Sequence, residues 1–195
     1  MAVFKYLNVE HAESWLHGGS IPIFLASSYR SNERSGHLTP DENVQRSLTN
    51  MPEYMFKRIA RIGPNATAHL NFGTAQIGSD RFENVKFNQV QEDGLVLCFS
   101  TKFSPSIAWR FQRNVCVRIV DPVGLLRIVD AQVGVEGLAR ECEYTKSFQR
   151  NHFLKSHEDS WQHEYRMFWK YGTTVKVNLP PGVGVEEGRF GPSNN

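Results

Sequence analysis

Apolar and polar positions are patterned most clearly in the second half of the chain. Leu95 to Thr101 (LVLCFST), just after Gly94, is a near-continuous apolar run, the mark of a strand covered on both faces. Val115 to Val120 (VCVRIV) and Val175 to Leu179 (VKVNL) alternate with period two. Aromatic-rich His163 to Tyr171 (HEYRMFWKY) reads the same way. Leu125 to Val133 (LLRIVDAQV) predicts another strand, and residues 141–148 an extended segment. Near the start, Val3 to Leu7 predicts a short strand. Asn8 then caps a helix over residues 9–17, with Ala12, Trp15 and Leu16 on one face and Gly18-Gly19 as its stop.

Ile21 to Ala26 predicts a second strand and Ser27 to Pro40 a loop. Helices are expected over residues 41–49 and 52–61, and a third over 106–112 behind Ser104-Pro105. From Ile62 to Asp93 the pattern supports only short strands between turn signals at residues 63–65 and 78–80. Residues 155–159 read as a polar turn. Strands therefore crowd the second half while helices gather early, which is an α+β arrangement and not the regular alternation of a doubly wound sheet. Residues 1–180 are expected to form a single domain, and 181–195, rich in glycine after Pro180-Pro181, a flexible tail.

Composition narrows the classes. With 195 residues, 40% hydrophobic and 22% charged, the chain is globular in type. Its 22 Lys and Arg against 20 Asp and Glu leave a net charge of +2, which excludes a histone-like polyanion binder but leaves room for a local basic groove. Cys98, Cys116 and Cys142 form no C-x-x-C pair. Their odd number and the early charge in Met1 to Leu7 point to reduced thiols in the cytoplasm. No apolar run approaches the roughly 18 residues of a membrane span. The seven histidines show no H-E-x-x-H or ligand-spaced cluster, so no metal is expected. Phosphate-binding glycine loops and a G-x-S-x-G elbow are missing too.

Two polar stretches carry the candidate chemistry. Ser100 and Thr101 put two small hydroxyls at the end of a buried strand, where they either cap the next helix or orient a carboxylate on a neighbouring strand. Gln162, Glu164 and Arg166 share one face if their segment is a strand. They then form either a salt-bridged surface or the lining of a polar cleft, in which Glu164 would stabilise an oxocarbenium-like transition state. Glu141 and Glu143, with the same spacing, rank second. A further stretch, Lys102, Arg110, Arg113 and Arg118 interleaved with Phe103, Trp109 and Phe111, reads either as an amphipathic helix with solvated arginines or as a basic aromatic surface.

The order of these features resembles the ADP-ribosyltransferase superfamily. Phe4-Lys5-Tyr6 on a first strand, Phe99-Ser100-Thr101 followed by a helix with Ala108 and Phe111, and the late Gln162-His163-Glu164 match its three motifs in sequence. The W-x-x-E-x-R close, Trp161 to Arg166, is also similar to a bacterial family of unknown function linked with toxins and phage defence. The resemblance implies a split β-sheet core with N-terminal helices and a mono-ADP-ribosyltransferase that uses NAD as substrate. It implies that Glu164 promotes cleavage of the glycosidic bond, Ser100 and Thr101 position Glu164 and the ribose, and Gln162 faces the acceptor, a protein or nucleic acid. Arg166 belongs to the same site, and NAD is anchored either by Lys5 and Tyr6 or by Arg30. An antitoxin or immunity protein is an implied partner. The alternatives are an RNA-cleaving or nucleic-acid-binding effector and a non-catalytic interaction module.

Overall fold

The computed structural model describes residues 1–29, 43–63 and 66–191. In chain order the elements are β1 (Val3–Leu7), α1 (Val9–Leu16), β2 (Gly19–Leu25), β3 (Val44–Thr49), α2 (Glu53–Ile59), β4 (Ala68–Ile77), β5 (Asp80–Gln91) and β6 (Leu95–Ser100). There follow α3 (Pro105–Phe111), β7 (Val115–Ile119), α4 (Pro122–Val133), β8 (Leu138–Glu141), β9 (Glu143–Thr145), β10 (Leu154–Ser156), β11 (Glu164–Trp169), β12 (Val175–Leu179) and β13 (Gly184–Arg189). Two 3-10 turns, Ala26–Tyr29 and His157–Gln162, complete the set. The class is α+β. Among the described residues no helix is long and apolar enough to cross a membrane.

The apolar run Leu95–Ser100 becomes the spine of an eight-stranded sheet, ordered β12-β2-β6-β1-β7-β13 with β11 beside β6 and β8 beside β11. Along one edge of β6, β11 pairs over its whole length, from Glu164 opposite Ser100 to Trp169 opposite Leu95. The other edge is shared. There β2 pairs only with Leu95 and Val96, and β1 only with Ser100. Among the described residues no strand pairs with Leu97, Cys98 and Phe99 on that edge, and the sheet is split between β1 and β2.

Side chains alternate across the sheet as period two requires. Val3 and Leu7 of β1 pack with Trp15 of α1, Leu125 and Val129 of α4, and Leu97, Phe99, Tyr165, Met167 and Trp169 in the main core. Phe4 and Tyr6 point the other way, onto Ile107 and Ala108 of α3. A second, smaller sheet, β3-β5-β4, packs Val85 and Phe87 against Met55 and Phe56 of α2.

Four expectations are corrected. Residues 44–49 form β3 and not a helix: Val44 and Leu48, four apart and buried, imitate a helical stripe, but the segment pairs along β5 from Gln91 to Lys86. Residues 125–133 belong to α4 and not to a strand. Leu125 and Val129 are buried at i, i+4, Pro122 sits at the helix start, and Gly134 closes it in the left-handed region at φ 76°. The polar turn expected at 155–159 is instead the end of strand β10 and the start of the second 3-10 turn. The expected tail holds β13, which pairs along β7.

Candidate functional site

The split opens into a cleft of about 650 Å³, lined by residues of β1, α1, β2 and β6 together with Lys155, Gln162 and Glu164. Lys5 crosses it. Its Nζ donates to the Cys98 carbonyl at 2.8 Å, supplying a donor on the edge of β6 that no strand covers. The same ammonium lies 5.2 Å from the Phe99 ring centroid and 5.9 Å from that of Trp15, within cation–π range. Burial is the first cause that lowers its pKa. Cys98 and Glu164 act to raise it, and Arg113 adds to the lowering.

At the floor stands Glu164, 4% exposed. Its Oε2 accepts from Lys155 Nζ and its Oε1 from Arg166 Nε, both at 2.6 Å. Lys155 Nζ also donates to Gln162 Oε1 at 2.9 Å. Burial alone would push the Glu164 carboxyl up; the guanidinium and ammonium outweigh it and hold the group well below the usual carboxylate range. The carboxylate is therefore ionised at neutral pH and suited to stabilising positive charge, not to donating a proton. Each of its oxygens retains a further lone-pair direction beyond the one it uses.

Gln162, Glu164 and Arg166 do not all lie on one strand. His163 is left-handed at φ 44°, so β11 begins at Glu164 and Gln162 ends the preceding 3-10 turn. The amide is nevertheless brought to the same lysine as Glu164, because Ser100 Oγ donates to the Gln162 carbonyl at 2.8 Å and Thr101 N–H to that of His163 at 2.7 Å. The Glu164 N–H donates to the Tyr144 hydroxyl at 2.8 Å. Gln162 Nε2 is buried and has no hydrogen-bond partner among the described residues.

The other expected residues fall in different places. Ser100 lines the cleft; Thr101 does not, and its hydroxyl donates to the His163 carbonyl at 3.2 Å. Tyr6 also lines the cleft, but its ring packs on the α3 side of the sheet, where its hydroxyl donates to the Lys102 carbonyl and accepts from Ser104 N–H, both at 2.7 Å. Arg166, 1% exposed, sits behind Glu164 and donates to the His152 carbonyl at 2.7 Å. Arg30 lies outside the described residues. Glu141 and Glu143 are exposed at the junction of β8 and β9.

The basic aromatic stretch is divided. Arg110 stacks over Trp161 at 3.8 Å, Arg118 pairs with Glu187 at 2.9 Å, and Phe111 packs on Trp161 at 4.8 Å. Trp109 and Phe103 remain exposed, while Phe111 and Arg113 line the cleft. The sequence reading missed Lys155 and Arg113 as cleft residues. Lys155 was hidden in an apparently polar turn, and its only signal is a cation shortly before Gln162 and Glu164. Among the described residues no three His, Cys, Asp or Glu side chains are placed to hold a metal ion. No protein-family model, curated protein or solved structure matches the chain.

Proposed function

We propose that the split in the central sheet binds NAD and that the protein transfers its ADP-ribose to a macromolecular acceptor, a protein or a nucleic acid. One observation carries the reading. Lys5, Ser100, Gln162 and Glu164, drawn from the three stretches of sequence that resemble the ADP-ribosyltransferase motifs, line a single cleft. Its volume is in the range of ligand sites, about 300–1,000 Å³.

In this reaction the bond between ribose C1′ and the nicotinamide nitrogen breaks, and nicotinamide departs as a neutral molecule with the bonding pair. The positive charge left on the ribose is shared between C1′ and the ring oxygen. Glu164 meets that charge as a carboxylate already ionised and fixed, so little reorganisation is needed in the transition state. Lys155 and Arg166 draw on its charge but also lock its position, leaving one lone-pair direction per oxygen for a ribose hydroxyl. An acceptor nucleophile then bonds C1′ and releases its proton to solvent. The Gln162 amide, a lining residue whose Nε2 has no hydrogen-bond partner among the described residues, is a donor for the acceptor or the ribose in this reading.

The test is release of nicotinamide from NAD by the purified chain, alone and with cell extract. Release that disappears in a folded Glu164→Gln variant supports the proposal; no release under any of these conditions sinks it.

A second reading, a nucleic-acid effector, has its own observation: exposed Phe103 and Trp109 stand beside Lys102 and Arg110, and no acidic residue occurs from residue 94 to residue 120. RNA degradation without NAD would favour it over the transferase.

A further inference from the structure

Charge is concentrated where the first strand of the cleft meets the turn after α3. Lys5 reaches the cleft from β1, and Arg113 reaches it from that turn. The cleft's charged lining is Lys5, Arg113 and Lys155 against Glu10 and Glu164, and the Glu164 carboxylate already holds Lys155 and Arg166. Arg113 makes one side-chain hydrogen bond, from Nη1 to Asn8 Oδ1 at 3.4 Å, and no carboxylate pairs with it among the described residues. A guanidinium carries five N–H donors, so most of its capacity is unspent. Two cations converging on one cleft repel each other, as the lowering of the Lys5 pKa by Arg113 reflects, and an anion between them relieves that repulsion. The surroundings suit a ligand that is more than an anion: Trp15, Phe99 and Phe111 line the same cleft, and Gln162 Nε2 is buried in its wall with no hydrogen-bond partner among the described residues.

We infer that Arg113 and Lys5 together hold the diphosphate of a nucleotide ligand, Arg113 through its planar fork and Lys5 as a point charge beside the aromatic floor. The assignment rests on the NAD reading for its choice of nucleotide. It goes beyond that reading by placing the main anchor outside the first-strand motif, on a residue of the turn after α3. Lys5 spends one of its three N–H donors on the Cys98 carbonyl and, as a point charge, lacks the planar two-pronged grip of Arg113.

The experiment is calorimetric titration of the full chain and of Arg113→Gln with ADP, adenosine and inorganic pyrophosphate. ADP should bind more tightly than adenosine, and pyrophosphate should compete with it. Arg113→Gln should lose about tenfold to a hundredfold in ADP affinity while adenosine affinity stays the same. A merely structural role for Arg113 would weaken both ligands alike. Arg113→Lys should restore part of the loss at low salt, where a point charge is least screened. ADP that binds no better than adenosine, or that binds Arg113→Gln as well as the parent, overturns the assignment. Arg113-dependent ADP binding in a chain that releases no nicotinamide would leave this inference standing and remove the transferase reading. Nicotinamide release that survives Arg113→Gln with an unchanged KM for NAD would do the reverse.

Discussion

Ser100 and Glu164 stand directly opposite one another on β6 and β11, yet the Ser100 hydroxyl reaches the main chain two residues earlier, at the Gln162 carbonyl. The serine therefore orients the Gln162 turn, and through it the amide that shares Lys155 with Glu164. Ser100→Ala strands a buried carbonyl, and the unfolding free energy should fall by about 1–3 kcal/mol in chemical denaturation. If the transferase proposal is right, kcat should fall more than KM rises, because a displaced Gln162 affects the reacting geometry and not the anchor. An unchanged stability would show that the turn holds itself.

Glu164 is joined by short bonds to two buried cations, Lys155 and Arg166. Removing it leaves both charges buried without their shared counter-ion, so Glu164→Ala should lose about 3–5 kcal/mol. That is a large share of the roughly 5–15 kcal/mol by which a domain is folded, so inactivity of this variant says little about chemistry. Glu164→Gln combined with Lys155→Met removes one buried cation along with the anion and should recover part of the loss. A penalty for Glu164→Ala below about 1 kcal/mol, as for a surface pair, would contradict the buried arrangement.

The same carboxylate predicts a direction with pH. Its pKa is depressed in the folded state, so its contribution is complete above the unfolded value of about 4.3 and is lost as pH falls from there toward the depressed value. Glu92, lowered first by its hydrogen bond from Lys170, acts the same way. Denaturation midpoints measured at neutral pH and at about pH 3 should show the parent losing stability on acidification. Glu164→Gln should show a shallower loss; an identical slope would mean that the carboxylate titrates alike folded and unfolded.

The alternation and the long apolar run made β1, β6, β7, β11 and β12 legible, because in those segments the local pattern and the final burial coincide. The errors arose where two periods fit the same residues. Val44 and Leu48 are spaced like a helix face but are placed by the ladder to β5, a contact across some forty residues. In α4 the apolar density of LLRIV suggested a strand, although Pro122 and Gly134 mark a helix start and stop. The site was legible in part. Glu164 and Ser100 were found from their strands, whereas the kink at His163 follows from a backbone angle that the residue name does not announce. Lys155 and Arg113 join the cleft only through tertiary placement, and no local pattern separates them from ordinary surface cations.

Gly137 tests how tightly the core accepts α4. Its N–H and the Trp169 Nε1–H both donate to Asp130 Oδ1, at 3.0 and 2.6 Å, and a Cβ at residue 137 would fall on the Trp169 indole. Trp169 is fully buried, so the ring has little room to retreat. Gly137→Ala should therefore destabilise by about 1–3 kcal/mol through overpacking and shift tryptophan emission toward that of a less ordered indole. Parent-like stability and emission would show that the loop before β8 moves aside freely.

The C-terminal strand offers a last test, because composition and topology disagree about it. Residues 181–195 have the make-up of a tail, but β13 pairs with β7 from Gly184 opposite Ile119 to Arg189 opposite Val115. Val120 N–H donates to the Val183 carbonyl at 2.9 Å, and Phe190 packs against Tyr6 and Phe103. A chain ending at Gly182 would leave β7, whose Val115, Cys116, Val117 and Ile119 are all buried, as an open apolar edge. Such edges template pairing between molecules. That truncation should aggregate, as seen by light scattering, whereas a chain ending at Gly191 keeps β13 and should stay monodisperse. If the chain ending at Gly182 stayed monodisperse and equally stable, β13 would be an accessory to the sheet and not the strand that closes its edge.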